Sequence, residues 1–345
     1  MKIVGCDLHT RYQQIAMLDA ETGELMERRL EHESGEARAF YANLTGPVRV
    51  GIEATGHTRW FERMLAELGH ELWIGDAAEI RASMVRKQKT DARDAAHLLE
   101  LLLSGRFPRL WRPTMEERDL RQLVWHRQKL VWMRNAVGNQ LHALAMGEGV
   151  CRKKKLFTKK GRVELEGLAL DRWASRRRQE LLRMLDHLDG SLQEFDQAVS
   201  EQAEQNPAAV LLMTHPGVGP VTSLAYVLTL GPVEWFARSK QVVSYLGLNP
   251  REHSSGGRQR LGAISKQGNP MMRSLLVEAG HTAARLDAEL RQDYQRLKLR
   301  RGGGVAKVAI ARKLAVRMYW MLRRQASYAQ LVRMQGSPRA TLVSS

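Results

Sequence analysis

With 345 residues, 43% of them hydrophobic, the chain has room for two or three domains with buried cores. Its 54 lysines and arginines against 37 aspartates and glutamates leave a net charge of +17, which points to a polyanionic partner, nucleic acid in the simplest case. Cys6 and Cys151 lack the repeated C-x-x-C spacing of a structural zinc site and read as reduced thiols. No run approaches the roughly 18 apolar residues of a membrane span. The expectation is a soluble, intracellular protein whose N-terminus, MKIVGCDLHTRYQQ, is charged too early for a signal peptide.

In chain order, residues 2–8 predict a short buried strand, 13–19 a second, and 25–32 an alternating third, with a turn at 21–24 between the last two. Helical periodicity follows at 35–44, a strand at 48–56, an amphipathic helix at 58–69 closed by Gly69, and a strand at 70–76. The order β-β-β-α-β-α-β predicts an RNase H-like α/β domain with helices covering a mixed sheet.

Acidic residues occupy notable positions in this frame. Asp7 lies inside the first strand, Glu53 near the end of the fourth, and Asp91 and Asp94 stand at helical i,i+3 spacing and share a face. A carboxylate within the apolar IVGCDL run costs several kcal/mol if buried without a partner. Converging carboxylates repel unless cations neutralise them, and hard Mg²⁺ prefers oxygen ligands and serves phosphoryl transfer. Each acid also has a plainer reading: Asp91 as a favourable charge at a helix start, Glu53 as the edge of a turn.

A long helix is predicted from about 115 to 146, then a basic loop, CRKKKLFTKKGR, at 151–162. A second long helix spaces Leu181, Leu185, Leu188, Leu192, Phe195 and Val199 by alternating fours and threes, and it stops at Asn206-Pro207. That spacing fits either a hairpin within the chain or an oligomerisation arm. Pro216-Gly217-Val218-Gly219, between two apolar segments, suggests a helix-hairpin-helix turn whose backbone N–H groups at Gly217 and Gly219 hold a phosphate. Residues 233–248 predict one helix, 270–286 another and about 304–325 a last one. The last carries Lys307 and Arg312 for a phosphate backbone or simply for a solvated face.

Residues 251–324 hold 17 lysines and arginines against 5 acids, so the basic excess is concentrated there. Within them Ser254 and Ser255 adjoin Gly256-Gly257, with Arg258, Arg260, Lys266 and Arg273 following through a polar segment. Hydroxyls, bare backbone and guanidinium forks suggest chemistry at a phosphate, though Ser-Ser-Gly-Gly is also linker composition. No G-x-S-x-G elbow is present to suggest a serine hydrolase.

Asp7, the IEATG segment at 52–56, Lys89-Thr90-Asp91 with Asp94, the PGVG turn and the PREHSSGGRQRLGAISKQGN run resemble the DEDD-type insertion-sequence transposases, the insertion-sequence one-ten family. The likeness covers about residues 3–325. It implies a RuvC-like domain at 1–110, an all-α coiled-coil middle at 111–206, a mainly α transposase domain with a catalytic serine at 207–330, and a tail at 331–345. It implies Mg²⁺ held by Asp7, Glu53, Asp91 and Asp94, and Ser255 as nucleophile, with Ser254 one residue out of register. It further implies DNA element ends and target as partners, a noncoding bridge RNA as guide, a homo-oligomer, and a cytoplasmic, nucleoid-associated setting. A Holliday-junction-type metal nuclease is the alternative, since it needs the carboxylates but no serine.

Overall fold

A computed structural model describes residues 1–84, 90–152, 155–252 and 260–336. The chain divides into two compact units, Met1–Arg112 and Pro113–Ser345.

In the first unit, β1 (Lys2–Leu8), β2 (Tyr12–Asp19) and β3 (Leu25–Glu31) pair antiparallel in succession, as their short connections require. Helix α1 (Glu36–Ala42) carries the chain back so that β4 (Val48–Glu53) lies parallel to β1, and α2 (Arg59–Glu67) does the same for β5 (Glu71–Gly75). The sheet order is β3-β2-β1-β4-β5, and the order of elements is the one the sequence predicts. Two further helices follow, α3 (Ala77–Ser83) and α4 (Asp91–Leu103).

Alternation along the strands divides the two faces of the sheet. Val4, Cys6, Val50 and Ile52 meet Tyr41, Phe61 and Leu65 from α1 and α2 in one fully buried core. The opposite face takes α4, and here the strand residue is Gly5. A Cβ at Gly5 would fall 2.3 Å from the Ala95 carbonyl oxygen and 2.4 Å from the Leu99 nitrogen, so the helix backbone lies directly on the strand.

In the second unit, α5 (Met115–Gly147) and α7 (Arg172–Gln205) form an antiparallel pair, with α6 (Lys159–Glu166) in their connection. Their direction is recorded by Arg127 Nε to Asp196 Oδ1 at 2.7 Å and by the Arg134–Asp189 pair further along. Leu181, Leu185, Leu188 and Leu192 of the fours-and-threes stripe are buried against Leu130, Val137 and Leu141 of the same chain. Helices α8 (Pro207–Met213), α9 (Pro220–Leu230), α10 (Ser239–Tyr245), α11 (Pro270–Leu286), α12 (Ala288–Arg301), α13 (Gly303–Arg324) and α14 (Tyr328–Gly336) complete the unit. A core of Tyr226, Leu314, Met318 and Tyr319 sits among them. Both tyrosine hydroxyls are satisfied, donating to the Ala315 and Phe236 carbonyls at 2.7 and 2.8 Å.

Local chemistry accounts for two departures from the sequence reading. The single helix expected over 233–248 is a short 3₁₀ turn, Val233–Trp235, and a separate α10. Arg238 between them is extended, and its N–H donates to the Gln241 side chain at 3.0 Å, which starts a new helix. The glycine-punctuated segment read as loop contains a two-stranded sheet, β6 (Pro250–Glu252) against β7 (Leu261–Ile264). Helix α12, with Leu290 alone buried among its side chains, carried too little apolar periodicity to be anticipated.

Replacing Gly5 with alanine is expected to destabilise the chain by about 1–3 kcal/mol, the cost of overpacking, or more if α4 lifts. Gly56→Ala, where a Cβ meets nothing within 4 Å, should stay within about 0.5 kcal/mol in the same urea titration. A second prediction concerns His215, which is 1% exposed, donates from Nδ1 to the Pro216 carbonyl at 2.9 Å and stacks on Tyr328. Burial pushes its imidazole down from 6.5 to about 4. The unfolded chain therefore takes up a proton that the folded chain refuses, so stability falls as pH drops through that window. Between pH 7 and pH 5 the unfolding free energy of His215→Gln should gain about 2 kcal/mol on the parent.

Candidate functional site

The seating of α4 on Gly5 determines what meets the end of β1. Asp7 lies two residues beyond Gly5 on the same face, while toward the start of α4 Asp94 directly precedes Ala95 and Asp91 lies one turn back from it. The Thr90 hydroxyl caps that start, accepting from the Arg93 N–H at 3.4 Å. Ligand atoms of Asp7, His9 and Asp91 all fall within 4.8 Å of one another, and all three side chains are half-buried. His9 Nε2 is 3.0 Å from Asp7 Oδ2 and 3.5 Å from Asp91 Oδ2. Tyr12 donates its hydroxyl to Asp91 Oδ2 at 2.9 Å, its ring stacked on His9 and covered by the Arg29 guanidinium 3.8 Å from the centroid.

Glu53 stands one step past the Cys6–Ile52 pair, beside Asp7 in the parallel register. Its Oε1 accepts from Arg81 Nη2 at 3.2 Å, and it is outside the three-residue cluster. Among the described residues the structure therefore brings Asp7 and Asp91 together, with Asp94 close enough to act on Asp7 by charge, and directs Glu53 to an arginine. Burial raises the Asp7 carboxyl above its ordinary range, against the lowering effect of His9, and the charges of Asp94 and Asp91 add to the rise. A cation at this position would relieve that repulsion, and carboxylate oxygens are the donors hard divalent ions accept. His9 escaped the sequence reading. Its only signal was i,i+2 spacing from Asp7, which places both on one face of an extended segment.

In the second unit Ser254, Ser255 and Arg258 lie outside the described residues, but the base that carries them is defined. Gly247 and Gly268 have φ of 67° and 74°. A Cβ on Gly247 would fall 1.9 Å from the Gln267 oxygen, and one on Gly268 2.0 Å from the Tyr245 oxygen. Two backbone segments are thus pressed together where the β6–β7 hairpin begins and ends. Arg273 ties them, its Nη1 donating to the carbonyls of Leu246, Gln267 and Gly268 at 3.3, 2.6 and 3.0 Å. Arg260 and Lys266 are exposed, and Lys266 holds a left-handed φ of 59°. Gly217 packs against α11, where a Cβ would come 2.5 Å from the Ala283 nitrogen, whereas Gly219 is exposed at the start of α9. Lys307 is exposed and Arg312 half-buried on α13.

Residues 4–147 match the family model of DEDD transposases of the IS110 type, described as Transposase. Residues 209–295 match a second, described as Transposase IS116/IS110/IS902 family. The chain belongs to the IS110 family of transposases. It is 28% identical over 340 residues to the transposase for insertion sequence element IS1111A of Coxiella burnetii, covering 95% of this chain and 91% of that one. It is also 28% identical over 340 residues to a probable family 20 transposase of Pseudomonas aeruginosa, covering 94% and 98%. A pilin gene-inverting protein of Moraxella bovis is 26% identical over 242 residues, covering 67% of this chain and 66% of that protein. Transposases cleave and rejoin DNA, and the DEDD domain implies a divalent metal ion, which the oxygen-rich, mutually repelling set at Asp7 and Asp91 fits. Among the described residues no helix of this transposase is long and apolar enough to cross a membrane.

Asp7→Asn should separate the two roles of that carboxylate. In EDTA at pH 8 the variant is expected to melt about 2–4 °C above the parent, because it removes a half-buried charge facing Asp91 and Asp94. In Mg²⁺ the parent should gain stability and the variant should not, as read by the melting temperature with and without the ion.

Proposed function

We propose that this transposase excises an insertion sequence and reinserts it by Mg²⁺-dependent cleavage and strand exchange, with Ser255 as nucleophile. The observation that carries the reading is the Asp7–His9–Asp91 cluster at the N-terminus of α4, within a chain of transposase family. Asp7 and Asp91 are the residues to hold the ion, with Asp94 and Glu53 completing the acidic set and His9 fixing the two carboxylates. A divalent cation held there would supply Lewis-acid polarisation of a phosphate and stabilisation of the leaving oxygen. Tyr12 holds Asp91 in place by its hydrogen bond.

In the proposed step Ser255 Oγ loses its proton and attacks a DNA phosphorus, a P–O bond breaks, and the departing strand end leaves as a hydroxyl after taking up a proton. Attack by another strand's hydroxyl on the phosphoserine restores the diester and frees Ser255, so bond energy is conserved without a nucleotide cofactor. Arg258, Arg260 and Lys266, close to Ser255 in the sequence, are the cations to meet phosphate oxygens, with Lys307, Arg312 and the backbone N–H groups of the first turn of α9 beyond Pro220 as further phosphate contacts. The excess of 17 basic over 5 acidic residues at 251–324 supports contact with a long polyanion. A noncoding guide RNA, a homo-oligomeric assembly and nucleoid association belong to the same reading. Likeness to a gene-inverting protein favours strand exchange over simple hydrolysis.

The test is covalent trapping: protein with Mg²⁺, its copurifying RNA and end-labelled DNA spanning the element junction, run on a denaturing gel. The expected adduct is present in the parent and in Ser254→Ala and absent from Ser255→Ala and Asp7→Asn. Cleavage without an adduct, dependent on Asp7 alone, would instead make the protein a Holliday-junction-type metal nuclease.

A further inference from the structure

A cavity of about 270 Å³ opens in the second unit between α5, α9, the end of α10 and the start of α11. Its walls are unusual for a packing defect. Trp125 and Tyr245 line it while remaining 45% and 50% exposed as residues, although large aromatics ordinarily bury most of their area. Leu228 and Thr229 of α9 contribute an apolar floor, and Arg121 and Asn269 add polar groups. Each of these is held in place. Arg121 Nε donates to the Leu228 carbonyl at 2.9 Å, Tyr245 donates to the Thr229 carbonyl at 3.4 Å and packs edge-on against Phe236, and Asn269 Oδ1 accepts from the N–H groups of Met271 and Met272.

We infer that this cavity takes one unpaired nucleobase of a nucleic-acid strand, at the root of the segment that carries Ser255. The inference rests on the proposed reading of the chain as a strand-exchanging transposase. Its volume lies just below the roughly 300–1,000 Å³ of drug-sized sites, which suits a single flat ring. Two partly exposed aromatic residues and a guanidinium suit a base, since every base has a π-face to stack and a polar edge to bond, whereas a bare phosphate gains nothing from Leu228. The position adds a reason of its own. Tyr245 and Gly268, both on the cavity's lining, are the residues whose backbones meet at the foot of the β6–β7 hairpin, so a base held here anchors its strand at that foot. Strand exchange requires unpaired nucleotides at the junction, and a stacked base is a sequence-tolerant way to hold one.

Anisotropy titrations in EDTA test this with three labelled probes of equal length: mixed-sequence single-stranded DNA, the matching RNA, and an abasic deoxyribose-phosphate chain. Trp125→Ala and Tyr245→Ala should each weaken binding of a base-bearing probe by about tenfold and leave the abasic chain within about twofold, while Tyr245→Phe restores the parent affinity. Whichever of the DNA and RNA probes loses affinity identifies the strand that the cavity serves. Should either alanine variant fail to fold by circular dichroism, Thr229→Phe, which fills the cavity from its floor, carries the same expected outcome. Equal losses on base-bearing and abasic probes, or no loss on any, would overturn the inference. The covalent adduct with junction DNA distinguishes the two readings: an adduct without aromatic-dependent base binding sinks the cavity alone, and aromatic-dependent binding without an adduct sinks the transposition chemistry and leaves the cavity standing.

Discussion

The approach of α4 to β1 over Gly5 is the contact on which the first unit depends. With no Cβ in the way, the helix backbone lies on the strand at Ala95 and Leu99, and every other placement on that face follows from helical and strand spacing. Asp7 is two strand residues beyond the seat, Asp94 directly precedes Ala95, and Asp91 is one helical turn before Ala95. A larger residue at this point would lift the helix and separate the carboxylates before any ligand arrived. The site is thus a consequence of packing, and its precision comes from the rigidity of a helix resting on a sheet rather than from a loop.

That packing brings an electrostatic cost with it. Asp7 is half-buried and faces two further carboxylates, so its charged form is disfavoured. The chain offsets this in part with His9 on Asp7 and with Tyr12 on Asp91. Partial compensation leaves carboxylate oxygens gathered and under repulsion, which is the state that favours capture of a divalent cation. Glu53 is handled differently, for its carboxylate already bonds Arg81, and recruitment to an ion would require that bond to be exchanged.

The second unit solves a different problem, that of presenting a polar segment from a helical body. Two left-handed glycines allow the strands at the hairpin foot to touch, and Arg273 ties three carbonyls there. An arginine in a basic, glycine-rich run reads naturally as a phosphate ligand, but this one is committed through Nη1 to the backbone. Leucines 181, 185, 188 and 192 show the same economy: α5 of the same chain buries the stripe that coiled-coil spacing offers to any helix.

Sequence by itself determined the strand and helix order of the first unit and the long helices of the second, and it singled out the acids at 7, 53, 91 and 94, because periodicity and the cost of a charge in an apolar run are local properties. The motifs also carried the family resemblance that the comparisons bear out. Tertiary structure decided what no window of sequence contains. His9 became a partner of two aspartates only once β1 and α4 were side by side, and Glu53 turned to Arg81 because α3 lies near the end of β4. Helix α12 was illegible for want of an apolar stripe, and the hairpin at 250–264 because glycine and serine obscure strand pairing that depends on a clasp outside the strands themselves. The cavity at Trp125 and Tyr245 joins residues 120 positions apart in the chain. Long-range contact sets such features, and local chemistry supplies only the groups that they bring together.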